Sequence, residues 1–206
     1  MRKVFLWNVL LSNNNKPIRY ESPDFVLPNS DWKFSLSHLV EMNVEAGDDV
    51  LILSGLTEGQ QVQKNFQIFK EEVTQILEAK KAKGSFVDIV EPWEFKDSHV
   101  FMHFFKSVIA QLKEGDAVYY DMTGGMKPYS FSMFIAMTYA AKAARDIRVE
   151  QVVYVSLYKG AGDKEDVCTI WDLSSLFTLN EIAGNVRPGQ KESSDRVLSF
   201  IIGDED

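Results

Sequence analysis

The sequence predicts an α/β fold of the Rossmann-like class, a mostly parallel sheet with helices on both faces. Three observations predict it. Short apolar runs alternate along the 206-residue chain with longer segments whose apolar residues recur at helical spacing. The runs, such as Val4 to Leu11 and Val50 to Ser54, are apolar almost throughout, as strands covered on both sides must be. And one of them leads into Asp-Met-Thr-Gly-Gly-Met-Lys (121–127) and then into an apolar helix, the strand–turn–helix order in which open parallel sheets place their ligand loops.

In chain order, the first strand spans Val4 to Leu11 and is ended by Ser-Asn-Asn-Asn-Lys-Pro (12–17). Ile18 to Val26 is shorter and more polar and is expected as a hairpin on the sheet edge. Phe34 to Val44 reads as a short helix capped by Ser35. Val50 to Ser54 is the second strand. Thr57 and Gln60 then have the spacing of a capping box before a helix carrying Phe66, Phe69, Val73, Ile76 and Leu77 on one face. Gly84 is expected to stop that helix, and Ser85 to Val90 gives the third strand. A helix from about Asp97 to Lys113 follows, with Phe101, Phe104, Phe105, Val108 and Leu112 at helical spacing. Asp116 to Thr123 is strand four, Pro128 to about Arg145 its helix, Val149 to Tyr158 strand five, and Val167 to Leu173 a sixth strand before a short helix around Leu176 to Ile182. Antiparallel additions are expected near the C-terminus. Residues 1–184 form one domain in this reading, and 185–206 a polar tail with one short apolar patch, Val197 to Ile202.

Composition narrows the function classes. A 45% hydrophobic content lets one domain of this length bury a sizeable core. No apolar run is long enough to span a bilayer and the first residues lack a signal-peptide pattern, so a cytoplasmic protein without membrane contact is expected. Cys168, the single cysteine, excludes an internal disulfide and a cysteine-based zinc cluster. A net charge of −8 opposes non-specific binding to nucleic acid, which depends on Lys and Arg displacing counterions. A small anion held at one focused point is compatible with that charge.

Residues 121–127 have the chemistry for such a point. Gly124 and Gly125 let backbone approach a ligand with no Cβ between, Pro128 suits a first helical turn, and the free amides at a helix start favour an anion by roughly 0.3–2 kcal/mol. Lys127 adds a full positive charge, and the Thr123 hydroxyl can donate to a phosphate oxygen or cap the helix. Asp121 would repel an anion, so its expected role is to accept hydrogen bonds from loop amides and fix the turn. Two readings therefore stand side by side, an anion site and a tight strand-to-helix turn.

The same stretch, preceded by Lys113 to Tyr120 and followed by an apolar helix and Val149 to Tyr158, resembles the CRISPR-associated Rossmann-fold (CARF) sensor domains, whose signature is a strand ending in Asp-x-Thr, then Gly-Gly or His-Gly and a basic residue. The resemblance extends over about Val50 to Ala183, through Val87 to Phe95 and Cys168 to Ala183, and more weakly to the first strand. It is closest to the Asp-x-Thr-His-Gly branch, from which Gly125 departs by standing where that branch has His. What the resemblance implies is a homodimer that binds cyclic oligoadenylate, the second messenger of type III CRISPR antiviral signalling. It carries ligand contacts to Thr123, Gly124, Gly125, Met126 and Lys127, to Asn8, Ser12 and Asn13 after the first strand, and to Ser54, Gly55, Leu56, Thr57 and Glu58 after the second. Met126, Trp7 and Tyr129 are candidate platforms for adenine. A sensor acting through a separate effector protein is the first implied function. The alternative is a ring nuclease that cleaves the ligand by metal-independent attack of a ribose 2′-OH, with Lys127 and Thr123 as candidate catalytic groups and no cofactor.

Other constellations favour plainer readings. His99 and His103 stand four apart, as metal ligands on one helix face would, but the apolar face of that helix belongs to Phe101, Phe104, Phe105 and Val108, which leaves the two imidazoles on a solvated side and no metal site expected. Gly160-Ala-Gly162 precedes a strand-like run instead of a helix and is no dinucleotide fingerprint. Neither a Walker-type loop nor a nucleophile elbow occurs, and Cys168 reads as a buried strand residue.

Overall fold

A computed structural model of the chain describes residues 1–11, 18–92, 94, 97–144, 146–158 and 166–184. The elements are β1 (Arg2–Asn8), β2 (Ile18–Glu21), α1 (Ser35–Asn43), β3 (Asp49–Thr57), α2 (Gln60–Lys80), β4 (Lys83–Glu91), α3 (His99–Gln111), β5 (Ala117–Asp121), α4 (Lys127–Tyr139), β6 (Arg148–Tyr158), β7 (Asp166–Asp172) and α5 (Ser174–Ala183). Seven strands form one sheet in the order β2-β7-β6-β5-β1-β3-β4. From β4 to β6 every pair is parallel, β7 runs antiparallel to β6, and β2 is parallel to β7. The expected Rossmann-like class is the observed one.

Two apolar layers follow from the strand pattern. Phe5 and Trp7 of β1 point to one side, where α1 and α2 cover them with Leu36, Leu39, Val62, Phe69 and Val73. Val4 and Leu6 point to the other, where α3, α4 and α5 supply Phe104, Val108, Met133, Met137 and Phe177. Because successive side chains alternate across a strand, near-continuous apolarity is what a sheet covered twice requires. The helices change faces between the connection that leaves β3 and the one that leaves β4, so the chain reverses its winding at the boundary between β1 and β5. Ligands of open α/β sheets bind outside the carboxyl ends of the strands at such a boundary.

Several local expectations need correction. The first strand ends at Asn8, not Leu11, because Val9 turns its N–H to the Gly55 carbonyl at 2.9 Å as the ladder closes. Ile18 to Val26 is not a hairpin: only Ile18–Glu21 is extended, and its partner is β7. Ser35 is the first residue of α1 and does not cap it, since its hydroxyl is spent on Asp121. Thr57 remains in β3 and makes no cap to α2, whose cap position is Gly59. Helix α2 ends at Lys81, which takes the left-handed conformation (φ 56°), whereas Gly84 lies inside β4, where a Cβ would meet Leu77 Cδ1 at 2.2 Å. That glycine serves packing of α2 on the sheet. The final turn of α4 continues as a π-helix over Ala140–Ala144. The segment 185–206 lies outside the described residues.

Candidate functional site at the carboxyl edge of the sheet

Residues 122–126 leave β5 at the winding reversal and fold back over the end of β1. The approach is so close that side chains are excluded at two consecutive positions. A Cβ on Gly124 would stand 1.8 Å from the Asn8 carbonyl oxygen, and one on Gly125 would stand 2.4 Å from Asn8 Cβ. Gly55 closes the third side, its Cβ position being 2.1 Å from Asn8 Oδ1. Asn8 is thus nested among three glycines from two segments, the β5–α4 loop and β3, 2% exposed, with its amide donating to Ser130 Oγ at 3.3 Å. Ser130 in turn donates to the Gly124 carbonyl at 2.9 Å and ties the loop to the first turn of α4. The glycine pair therefore does what the turn reading asked of it.

Asp121 ends β5 fully buried and organises the loop from below. It accepts the Thr123 N–H at 2.9 Å and the Ser35 hydroxyl at 2.5 Å, as expected for a carboxylate that fixes a turn. Burial nonetheless raises its pKa, because the hydrogen bonds from Ser35 and Thr123 offset only part of the lost hydration. Thr123 faces β6, where its hydroxyl oxygen accepts the Val155 N–H at 2.8 Å.

What remains free is backbone. The N–H groups of Gly124, Gly125, Met126 and Lys127 make no hydrogen bond to any described residue, whereas those of Tyr129 and Ser130 are already bonded to the Met126 carbonyl at 3.0 and 3.2 Å. Four consecutive unpaired donors, that of Gly124 on a buried residue and those of Gly125 to Lys127 on partly or fully exposed ones, stand at the positive end of α4, where an anion is favoured. Lys127 is exposed and forms no ion pair among the described residues; its ammonium lies 5.7 Å from the centre of the Tyr154 ring. Both anion-site ingredients, donors and a cation, therefore meet at the start of α4.

The second group of expected contacts is placed differently from the loop. Ser54, Gly55, Leu56 and Thr57 belong to β3 and do not follow it. Ser54 is fully buried and accepts the Trp7 indole N–H at 2.8 Å; Leu56 packs in the core; Thr57 is 4% exposed and its hydroxyl has no partner. Glu58, just past the strand, is exposed and donates its backbone N–H to the Glu91 carbonyl. Ser12 and Asn13 lie outside the described residues. The cleft bounded by Asn8, Thr57, Gly125, Met126 and Tyr129 leaves no space for a water molecule, and Asn8 supports the loop from inside through Ser130. Trp7 and Tyr129 are both 2% exposed and act as core aromatics, Trp7 against Phe34 and Phe69 and Tyr129 against Phe101 and Phe104.

Three neighbours of the loop carried no sequence signal. Ser130 reads as an ordinary helix residue, yet it couples Asn8 to the loop. Tyr154 comes from β6, and only the parallel pairing of β5 with β6 brings it beneath Lys127. Glu91, at the end of β4, is held above the ordinary carboxylate range by burial, with the His103 imidazole opposing that rise, and its charge reaches the Tyr129 hydroxyl, which donates to the Pro92 carbonyl at 3.2 Å. His99 and His103 are both exposed, as the apolar pattern of α3 required, and no group of three or more metal-ligating side chains occurs among the described residues. Cys168 is buried and its thiol is pushed up to about 11, first by burial and then by Asp166, which makes it a poor nucleophile. No helix among the described residues is long and apolar enough to cross a membrane.

In comparison with known proteins, no family model and no curated sequence matches this chain.

Proposed function

We propose that the protein is a cyclic oligoadenylate-binding sensor of type III CRISPR signalling, reading the ligand with the loop between β5 and α4. The observation that carries the proposal is the row of four unpaired amides, Gly124 to Lys127, with an ion-pair-free ammonium beside it at the winding reversal of the sheet. That arrangement supports an anionic ligand. The particular anion rests on the resemblance of residues 113–127 and their surroundings to CARF domains. A compact polyanion also suits an acidic molecule: with a net charge of −8, only a local concentration of donors can hold it, and a two-fold dimer would present two such loops to one ring.

Thr123 contributes to this function by fixing the loop to β6, and Lys127 by charge. Incubating the purified protein with cyclic tetra- and hexa-adenylate in EDTA, and following retention, linearisation and the mass of the complex, tests the reading. Retention of the intact ring by a dimer is the expected result. Retention followed by linearisation would reassign the chain as a metal-independent ring nuclease, and no retention of either ring would refute the proposal. Lys127→Ala should lose most of the affinity, at least tenfold, while keeping the wild-type unfolding midpoint.

A further inference from the structure

On the face of the sheet covered by α3, α4 and α5, helices α4 and α5 diverge over β6 and leave a groove of about 450 Å³. That volume falls within the roughly 300–1,000 Å³ typical of small-molecule sites. Its walls are Phe131 and Phe134 from α4, Leu176 and Phe177 from α5, and Val152 and Tyr154 from β6, with the edge-to-face pair Phe134–Phe177 among them. Lys127, Ser130 and the Tyr154 hydroxyl are its polar groups among the described residues. The Ser130 hydroxyl is already engaged by Gly124 and Asn8, which leaves the Lys127 ammonium as the only charge lining the groove.

We propose that this groove binds an amphipathic monocarboxylate, with the carboxylate on Lys127 Nζ and the hydrocarbon body between α4 and α5. The two ends of the groove select the two ends of the ligand. Leu176 is 58% and Phe131 66% exposed, so covering them with hydrocarbon removes apolar surface from water. A single cation beside an apolar slot matches a single negative charge; a second charge on the same head would meet no further cation in the groove lining among the described residues. A second copy of the chain, docked face to face across a two-fold axis, fits less well. No acidic side chain lines the groove among the described residues, so an isologous contact would press two ammonium groups against apolar surface. The inference does not rest on the oligoadenylate reading, with which it shares only Lys127.

The test uses the full chain, decanoate as probe, decanol as its uncharged control, and an anilinonaphthalene sulfonate dye whose fluorescence reports occupancy. Decanoate should displace the dye saturably and at least tenfold more strongly than decanol. Lys127→Gln should erase that preference and Lys127→Arg restore it, which a merely unfolded variant could not do. Leu176→Trp, which narrows the groove at an exposed position, should weaken decanoate while leaving retention of cyclic tetra-adenylate at the wild-type level. Equal binding of decanoate and decanol would overturn the proposal. So would dye exclusion in a species of doubled mass, which would give the groove to a second copy, or binding seen only with phosphatidylglycerol vesicles, which would give it to a membrane surface. Loss of adenylate retention with decanoate binding intact would sink the sensor reading and leave this one standing.

Discussion

The nest around Asn8 makes a prediction that separates side-chain crowding from backbone crowding. In Gly125→Ala the new methyl group lies 2.4 Å from Asn8 Cβ and 3.2 Å from its Cγ, on a residue with φ of +73°. The left-handed conformation costs alanine about 1–2 kcal/mol and the overpacking about 1–3 kcal/mol, so the variant should lose about 2–5 kcal/mol. Replacing Asn8 by Gly removes both crowded atoms, and the next contact, Asn8 Cα at 3.6 Å, is an ordinary one. The overpacking part should then vanish while the conformational part remains, giving a coupling of about 1–3 kcal/mol between the two sites. Gly124→Ala behaves differently, because its methyl group meets the Asn8 carbonyl oxygen at 1.8 Å and the carbonyl carbon at 3.0 Å. These are main-chain atoms that no substitution at position 8 removes. The single variant should cost about 3 kcal/mol or more, and its coupling to Asn8→Gly should stay within about 0.5 kcal/mol of zero. Urea unfolding of the three single variants, the two double variants and the wild type measures every term. Equal coupling at the two glycines, or a Gly124→Ala cost below about 1 kcal/mol, would refute the close-approach argument.

Other perturbations probe the supports of the loop and the sheet. Asp121 is buried with a raised pKa, so the native state holds its proton more tightly than the unfolded chain, and stability from this group falls as pH rises from the unfolded carboxylate value through the folded one. Asp121→Asn should therefore gain on the wild type in chemical unfolding between pH 4 and pH 7, and a constant difference across that interval would contradict the assignment. Thr57→Val replaces a buried hydroxyl that has no partner with an isosteric methyl and should raise stability by about 1 kcal/mol in thermal or urea unfolding; a loss would mean that the hydroxyl is hydrogen-bonded. Ser54→Ala should cost about 1–3 kcal/mol by stranding the Trp7 indole N–H, a change visible in tryptophan fluorescence as well as in the unfolding midpoint. At the opposite edge, Arg2 grips Asp116 with two hydrogen bonds of 2.9 and 2.6 Å, and Asp116→Ala should cost about 3 kcal/mol, since the carboxylate it removes is almost fully buried.

The layers of this fold were legible because helical and strand periods are local properties. Val4 to Trp7, Val50 to Leu53 and Val118 to Tyr120 are apolar on both faces, and that alone demands helices above and below. The loop 121–127 was likewise legible as a glycine turn at the start of a helix, and Asp121 as its anchor. The identity of what the glycines approach was not. Asn8 lies more than a hundred residues earlier, and nothing in a one-dimensional pattern reports that β1 and β5 become neighbours with Trp7 opposite Asp121. The expected second strand stops at Ser54, yet β3 continues to Thr57, with Gly55 paired to Asn8 and to Ile89. The caps misled for a related reason. Ser35 and Thr57 have the right chemistry to close a helix, but tertiary demand from Asp121 and from the continuing strand took precedence.

The edge strand β2 carries a cost in time. Its partner is β7, and Ser22 just beyond it hydrogen-bonds the Ile170 carbonyl, 148 residues away. Closing a loop of that length costs roughly 4 kcal/mol of chain entropy beyond a constant, so this pairing waits for the rest of the sheet to bring its ends together. On a ribosome adding about 5–20 residues per second, Ile18–Glu21 would spend roughly 7–30 s without the strand it needs. Four residues that join last are held by one neighbour only, and amide exchange should find them the first part of the sheet to open.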